Sequence, residues 1–210
     1  MNAYIYAGGE ICSSGVHATP EQKDLTIAAD AGWHNAKALG VTPQILVGDL
    51  DSLGSCKPPE TTEVVRVPAE KDDTDTQLAV RLALSRGAKQ ITLIAGLSGR
   101  IDHTLSTLAL LEELYLRKIP AILTDGQSRV RYLQNGSLLV PKDRQFPYLS
   151  LIVVTAKAKG VTLEGCKYPL QNATLLRHMQ YAVSNEIVGN AALVSVRRGG
   201  VYLIESTDAR

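Results

Sequence analysis

Two aspartates one residue apart, Asp49 and Asp51, follow the apolar run Ile45-Leu46-Val47. A short apolar run of this kind reads as a buried strand. Both acids are therefore expected at its carboxyl end, where open α/β sheets bind ligands. On a continuing strand they would face the same side, because side chains alternate with period two. Carboxylates held so close repel unless a cation joins them, and Mg²⁺ typically takes one or two carboxylates together with substrate phosphates. An isolated Asp-x-Asp equally suits a loop that caps the next helix. A second acidic stretch, Lys71-Asp72-Asp73-Thr74-Asp75, also follows an apolar run, residues 64–67. Thr74 with Gln77 fits a capping box, so a helix is expected to start near Asp75. Acids there stabilise the helix N-terminus, but Asp72, Asp73 and Asp75 together exceed what capping requires. A third group, Gly99-Arg100-Ile101-Asp102-His103, places an arginine between a glycine-rich turn and a helix start. That position suits phosphate binding, or a merely solvated side chain.

The elements that would hold these groups alternate. Residues 3–7 read as a strand ending at Gly8-Gly9, and residues 25–29 as a strand ending at Asp30-Ala31-Gly32. A helix over 33–39 follows, with Gly40 suited to its C′ position. Residues 90–95 and 121–123 give further strands, and Gly87 ends the helix begun near Asp75. The helix opening at Ile101 is expected to turn Leu105, Leu108, Leu111 and Leu114 inward. Such alternation predicts a mostly parallel sheet with right-handed crossovers. Asp49, Asp51, Asp72, Asp75 and Asp102 would then converge on one rim, a setting for Mg²⁺ and polyphosphate. No Walker A sequence and no protein-kinase glycine loop is present, so a phosphoryl-type transferase of another design is expected.

The pattern changes near residues 125–130. Short strand-like runs follow at 130–133, 137–140, 148–155, 160–163, 184–188, 192–196 and 201–204. Asn135-Gly136 and Gly199-Gly200 read as hairpin turns. The expected organisation is an α/β domain over 1–127 and a C-terminal β-sandwich over 128–210.

The chain has 210 residues, 45% of them hydrophobic, and a formal net charge of +1. Nothing there suggests nucleic acid or an anionic membrane as partner. Cys12, Cys56 and Cys166 form neither a disulfide framework nor a zinc pattern. No stretch reaches the length of a membrane span, and the first residues lack a secretory signal. A soluble cytoplasmic protein is expected.

Taken together, Asp30-Ala31-Gly32, Gly48-Asp49-Leu50-Asp51-Ser52, Lys71-Asp72-Asp73-Thr74-Asp75 and Gly99-Arg100-Ile101-Asp102-His103 resemble, in order and spacing, the thiamine pyrophosphokinase family in its bacterial form. Val183-Ser184-Asn185-Glu186 resembles that family's thiamine-domain segment. The resemblance implies a homodimeric transferase with thiamine sites between subunits. ATP and thiamine would give AMP and thiamine diphosphate, with Mg²⁺ as cofactor and ATP as co-substrate. It implies Asp49, Asp51 and Asp75 as metal and reacting-phosphate residues, with Arg100 and Asp102 also catalytic. Asp30, Gly32, Lys71, Asp72, Thr74, Arg100 and His103 would surround the nucleotide. Asp102, Ser184 and Asn185 would contact thiamine. Trp33, Tyr181 and Tyr202 are the aromatics available for stacking, with a core role favoured for both tyrosines. The chain has Ala31 where the family often has glycine, and Ser98 where it often has the first glycine of Gly-Gly-Arg.

Other metal-dependent phosphohydrolases or nucleotide-dependent transferases could use Asp49 and Asp51. A haloacid-dehalogenase-type phosphatase would want threonine where Leu53 stands, and a sugar transferase leaves Thr74-Asp75 and Arg100-Asp102 unexplained. A regulator that binds nucleotide or thiamine without turnover would be expected to have lost metal acids, and none is missing.

Overall fold

Alternation of buried strands with helices that cover them shapes the first part of the chain. A computed structural model describes residues 1–54, 57–68 and 72–208. It divides into two units, Met1–Gly126 and Gln127–Arg210.

In the first unit, β1 (Asn2–Tyr6), β2 (Leu25–Ala29), β3 (Ile45–Gly48), β4 (Glu63–Arg66), β5 (Gln90–Ile94) and β6 (Ala121–Thr124) form the sheet. Their order is β6-β5-β1-β2-β3-β4, and each neighbouring pair runs parallel. All five residues of β2 are buried, as expected where helices cover both faces of a parallel sheet. Ile5, Ile27, Leu46 and Leu93 are fully buried at its centre. β4 stays largely exposed, because it has a partner on one side only.

The helices are α1 (Gly32–Ala38), α2 (Asp75–Ser85) and α3 (Ile101–Leu116). Thr74 caps α2 through the anticipated capping box: its Oγ1 accepts from Gln77 N at 3.2 Å and Thr74 N donates to Gln77 Oε1 at 2.8 Å. Ala79, Val80 and Ala83 are the buried residues of α2; the two alanines leave little side chain between helix and sheet. On α3 the buried residues are Thr107, Leu110, Leu111 and Leu114, whereas Leu105 is 59% exposed. The expected inward row drifts, since steps of three fall short of the 3.6-residue turn and carry Leu105 to the side opposite Leu114.

The second unit is all β: β7 (Ser128–Pro141), β8 (Tyr148–Val153), β9 (Lys157–Glu164), β10 (Leu170–Leu176), β11 (Asn185–Glu186) and β12 (Ala191–Ser206). β12 pairs with β7 along nearly its whole length, with β9 through residues 193–198 and with β8 through residues 201–206. β10 continues from β9, and β11 from β8. One edge of β12 thus follows β7, while its other edge carries β9 along the first half and β8 along the second. The two expected hairpins are absent. Asn135-Gly136 lies inside β7, and Gly199-Gly200 inside β12. What resembled turns is a bulge: Val196 pairs with Gly136 and Gly200 with Gln134, so Asn135 alone faces residues 197–199. The bulge also changes the inward phase of β12, from Ala192, Val194 and Val196 to Val201, Leu203 and Glu205. β10 had no counterpart in the sequence reading, because Gln171-Asn172 breaks its apolar pattern and Asn172 sits at a φ of 47°.

Glu205 is 2% exposed. It accepts from Arg129 (Nε at 3.1 Å, Nη2 at 2.5 Å) and from Arg131 Nη2. Arg129 also donates to Asp143 Oδ2 at 3.2 Å and lies over the Phe146 ring, 4.9 Å from its centroid. Burial opposes the charge of Arg129, but Glu205 and Asp143 outweigh it and hold the guanidinium above its ordinary pKa.

Candidate active site

The chain runs from β1 outward to β4 and returns at β5 on the other side of β1. The strand order reverses there, and crevices at such reversals bind ligands beyond the strands' carboxyl ends. A cavity of about 560 Å³ occupies this place. Gly8 and Gly9 line it after β1, and Asp30 and Ala31 after β2. Asp73, Thr74, Asp75 and Thr76 reach it from the start of α2. Ser98, Gly99, Arg100, His103 and Thr107 close the remaining side.

Backbone contacts fix the walls. Gly96 N donates to Gly8 O at 3.1 Å, and Ala7 N to Ile94 O at 2.9 Å. Glu10 N donates to Ser98 Oγ at 2.7 Å. Asn35 Nδ2 on α1 donates to Ala7 O at 2.8 Å and to Gly9 O at 2.9 Å. These positioning contacts of Asn35 and Ser98 were not anticipated, and in a helix that also carries His34 and Lys37 nothing in the sequence singles Asn35 out. Gly32 is required for packing: a Cβ there would lie 1.9 Å from Tyr6 O. It is buried and lies outside the cavity lining.

Beside this cavity the carboxylates gather. Asp30, Asp49 and Asp51 each place one oxygen within 4.8 Å of the others. Asp49 and Asp51 do come together, but not by strand alternation. β3 ends at Gly48, Leu50 adopts a φ of 72°, and a 3₁₀ turn begins at Asp51. Asp51 N donates to Asp49 Oδ1 at 3.2 Å. Asp30 itself has a φ of 45°, a conformation that costs a non-glycine residue about 1 kcal/mol or more. Its Oδ1 is buried without a hydrogen-bond partner. Buried carboxylate oxygens are normally paired or bound to metal, so this donor set fits a hard cation. Asp30 is the residue common to the acid group and the cavity, a link the sequence reading did not draw. Asp75 lines the cavity and lies outside this trio.

Arg100 precedes α3 and grips Asp102 through Nε at 3.2 Å and Nη2 at 2.6 Å. The Arg100 guanidinium, aided by the His103 N–H, holds the exposed Asp102 carboxyl below its ordinary range. Arg100 and His103 line the cavity, whereas Asp49, Asp51, Asp72 and Asp102 are outside its lining among the described residues. Lys71 and Cys56 lie outside the described residues.

Ser184 and Asn185 belong to the β unit. Ser184, at a φ of 55°, donates from N to Ser150 Oγ at 2.9 Å. The buried Asn185 amide is engaged locally: Oδ1 accepts from Tyr168 N at 3.0 Å and Nδ2 donates to Tyr168 O at 2.7 Å. Trp33, a candidate for stacking, is instead core, packed with Ala28, Leu46 and Leu53. Tyr202 packs edge-on against Tyr132. Tyr181 is 52% exposed, against the core role favoured for it.

Comparison with known proteins identifies the family. Residues 16–123 match the model for the thiamin pyrophosphokinase catalytic domain, and residues 137–201 that for the thiamin pyrophosphokinase vitamin B1 binding domain. The chain is 29% identical to the thiamine pyrophosphokinase of Bacillus subtilis over 192 residues, 90% of each chain. The crystal structure of thiamine pyrophosphokinase from Bacillus subtilis superposes with a TM-score of 0.87 at 26% identity, covering 100% of both chains. A thiamin pyrophosphokinase family protein from Enterococcus faecalis gives 0.84 at 33% identity, again covering 100% of both. The reversal-point cavity, the acid group beside it and the ordered domain matches lead to one conclusion: the chain belongs to the thiamin pyrophosphokinase family, enzymes that form thiamine diphosphate with ATP.

Proposed function

We propose that the cavity at the β1–β5 reversal holds ATP and that the β,γ-pyrophosphoryl group passes as a unit to the thiamine hydroxyl, leaving AMP. The observation that carries this reading is the dual place of Asp30, which lines the cavity and joins Asp49 and Asp51. Polyphosphate in the cavity would lie against a group of carboxylates that only a cation can reconcile with it. Asp30, Asp49 and Asp51 would hold Mg²⁺, with Asp75 near the reacting phosphates. The ion would supply charge neutralisation and a fixed orientation for the transferred group.

The protein's own part is positioning. Gly8 and Gly9 let backbone approach the phosphates, and Asp72, Thr74 and His103 complete the nucleotide surroundings. Arg100 neutralises developing phosphate charge and Asp102 aims it, because a paired guanidinium loses fewer orientations on binding. Asp102 also serves the thiamine side. Ser184 contacts thiamine, and Asn185 holds that segment in shape. The domains expected over 1–127 and 128–210 would serve as ATP-binding and thiamine-binding domains.

We further propose a cytoplasmic homodimer with thiamine sites shared between subunits. The exposed Tyr168, Met179, Tyr181 and Val188 of the β unit support an apolar contact there. Among the described residues no helix is long and apolar enough to cross a membrane.

The test is an assay of purified protein with ATP, Mg²⁺ and thiamine. AMP and thiamine diphosphate are the expected products. ADP with thiamine monophosphate would place the attack at the γ-phosphorus and refute the assignment. A mixed dimer of an Asp51→Asn chain and a chain disabled at Ser184-Asn185 is expected to regain activity; background activity in verified mixed dimers would refute the shared site.

A further inference from the structure

The bulge in β12 leaves an unusual charge arrangement in the C-terminal unit. Arg197 and Arg198 are consecutive, yet both are exposed, whereas a regular strand would send one inward. Two glycines make this possible. A Cβ on Gly199, at a φ of 111°, would lie 2.6 Å from Lys157 O. A Cβ on Gly160, at a φ of 64°, would lie 2.7 Å from Arg197 Cβ. Asn135 Oδ1 accepts from Gly199 N at 2.9 Å and pins the bulge.

On the neighbouring strand, Lys157 and Lys159 point outward together, and Lys159 stands directly opposite Arg198. Like charges facing each other across two strands destabilise a sheet. No carboxylate offsets them: among the described residues, none of Lys157, Lys159, Arg197 and Arg198 belongs to an ion pair. Two adjoining hollows, of about 570 Å³ and 210 Å³, are lined by these four cations and Asn135. The chain as a whole carries only +1, so this group of four cations does not follow from an overall basic composition.

From this geometry we infer that the basin formed by Lys157, Lys159, Arg197 and Arg198 binds a compact, multiply charged phosphate anion. Its larger hollow is of small-ligand size. Every lining residue carries a hydrogen-bond donor, and guanidinium groups match phosphate oxygens in pairs. No aromatic ring lines either hollow, so bases have no surface on which to stack. Recognition therefore falls on the phosphate groups. Free inorganic oligophosphate and the phosphate tail of a nucleotide present the same chemistry. Binding would relieve the repulsion between Lys159 and Arg198.

The full chain is titrated calorimetrically with inorganic tripolyphosphate in EDTA, which leaves no divalent ion to bridge phosphate to Asp30, Asp49 and Asp51. Saturable binding is expected, weakening as salt rises. The Lys159→Gln, Arg198→Gln double variant is expected to lose at least about tenfold in affinity. Its turnover with ATP, Mg²⁺ and thiamine is expected to match the parent. Absence of binding by the parent, or equal binding by the variant, overturns the proposal, as does loss of turnover in a folded variant. Competition by ATP equal to tripolyphosphate identifies the tail of a nucleotide as an acceptable source, and weaker competition points to the inorganic anion; both support the site. Competition by adenosine alone overturns it. So does a single-stranded oligonucleotide that binds more tightly than tripolyphosphate at matched charge. Thermal unfolding gives an independent readout: tripolyphosphate is expected to raise the Tm of the parent more than that of Lys157→Gln or of the double variant, and equal rises overturn the proposal.

Discussion

Asp30 and Glu205 are both acids set into the protein, and their surroundings differ. Asp30 stands at a strand end, at positive φ, with two other carboxylates nearby and a buried oxygen that no donor meets. Glu205 sits inside the β unit with two arginines closing on it and a second acid, Asp143, completing the group. The first arrangement stores repulsion, and the second cancels it. A buried oxygen without a donor is costly, and at Asp30 Oδ1 the cation proposed above would supply the missing partner. The paired charge at Glu205 completes itself and marks architecture.

That contrast can be broken by substitution. Asp49→Asn or Asp51→Asn is expected to lower turnover on the order of a thousandfold, because several kcal/mol of charge stabilisation depends on the acid group. Denaturant midpoints should stay level or rise as repulsion is relieved. Loss of stability with normal turnover would place these acids with Glu205. Glu205→Ala should do the reverse, costing about 3–5 kcal/mol in urea unfolding because Arg131 loses its carboxylate partner and Arg129 keeps only Asp143. A stable Glu205→Ala protein would remove the distinction.

Gly32→Ala sharpens the comparison from the packing side. A methyl group pressed on Tyr6 O is expected to cost about 1–3 kcal/mol, and turnover of the folded fraction should fall with it because α1 carries Asn35. Thr74→Ala should cost about 1 kcal/mol through the lost cap, read from the same denaturation curves. The smallest effect concerns pH. Arg100 depresses the Asp102 pKa, so their contact is complete above the ordinary carboxylate range and is lost as pH falls through the lowered value. Carboxyl NMR titration should show Asp102 titrating low, and moving back up in Arg100→Gln.

Much of the N-terminal unit was legible because its signals are local. Buried strands read as apolar runs, and the capping box at Thr74 named the start of α2. Asp49 and Asp51 were found by type and spacing, but the route that joins them was not, since the αL turn at Leu50 leaves no mark in composition. Asp30 could not be placed with them from sequence, because parallel pairing of β2 with β3 brings the two strand ends together. In the β unit the glycine pairs misled. Asn-Gly and Gly-Gly serve hairpins and bulges alike, and only the pairing of β7 with β12 separates the two. The amide of Asn185 was likewise spent on Tyr168 in a way that spacing does not reveal.

The path of β12 also bears on how the protein is made. β7, β8 and β9 all pair with it, and among the described strands it is the last in sequence. Ser128 meets its partner Ser206 only after the intervening strands have been synthesised. Such long-range pairing closes slowly. The N-terminal unit has its six strands in hand by residue 124 and is free to fold as it leaves the ribosome. The β strands must wait with open edges, so sticking of incomplete chains during synthesis, and any need for a chaperone, should arise in the second unit.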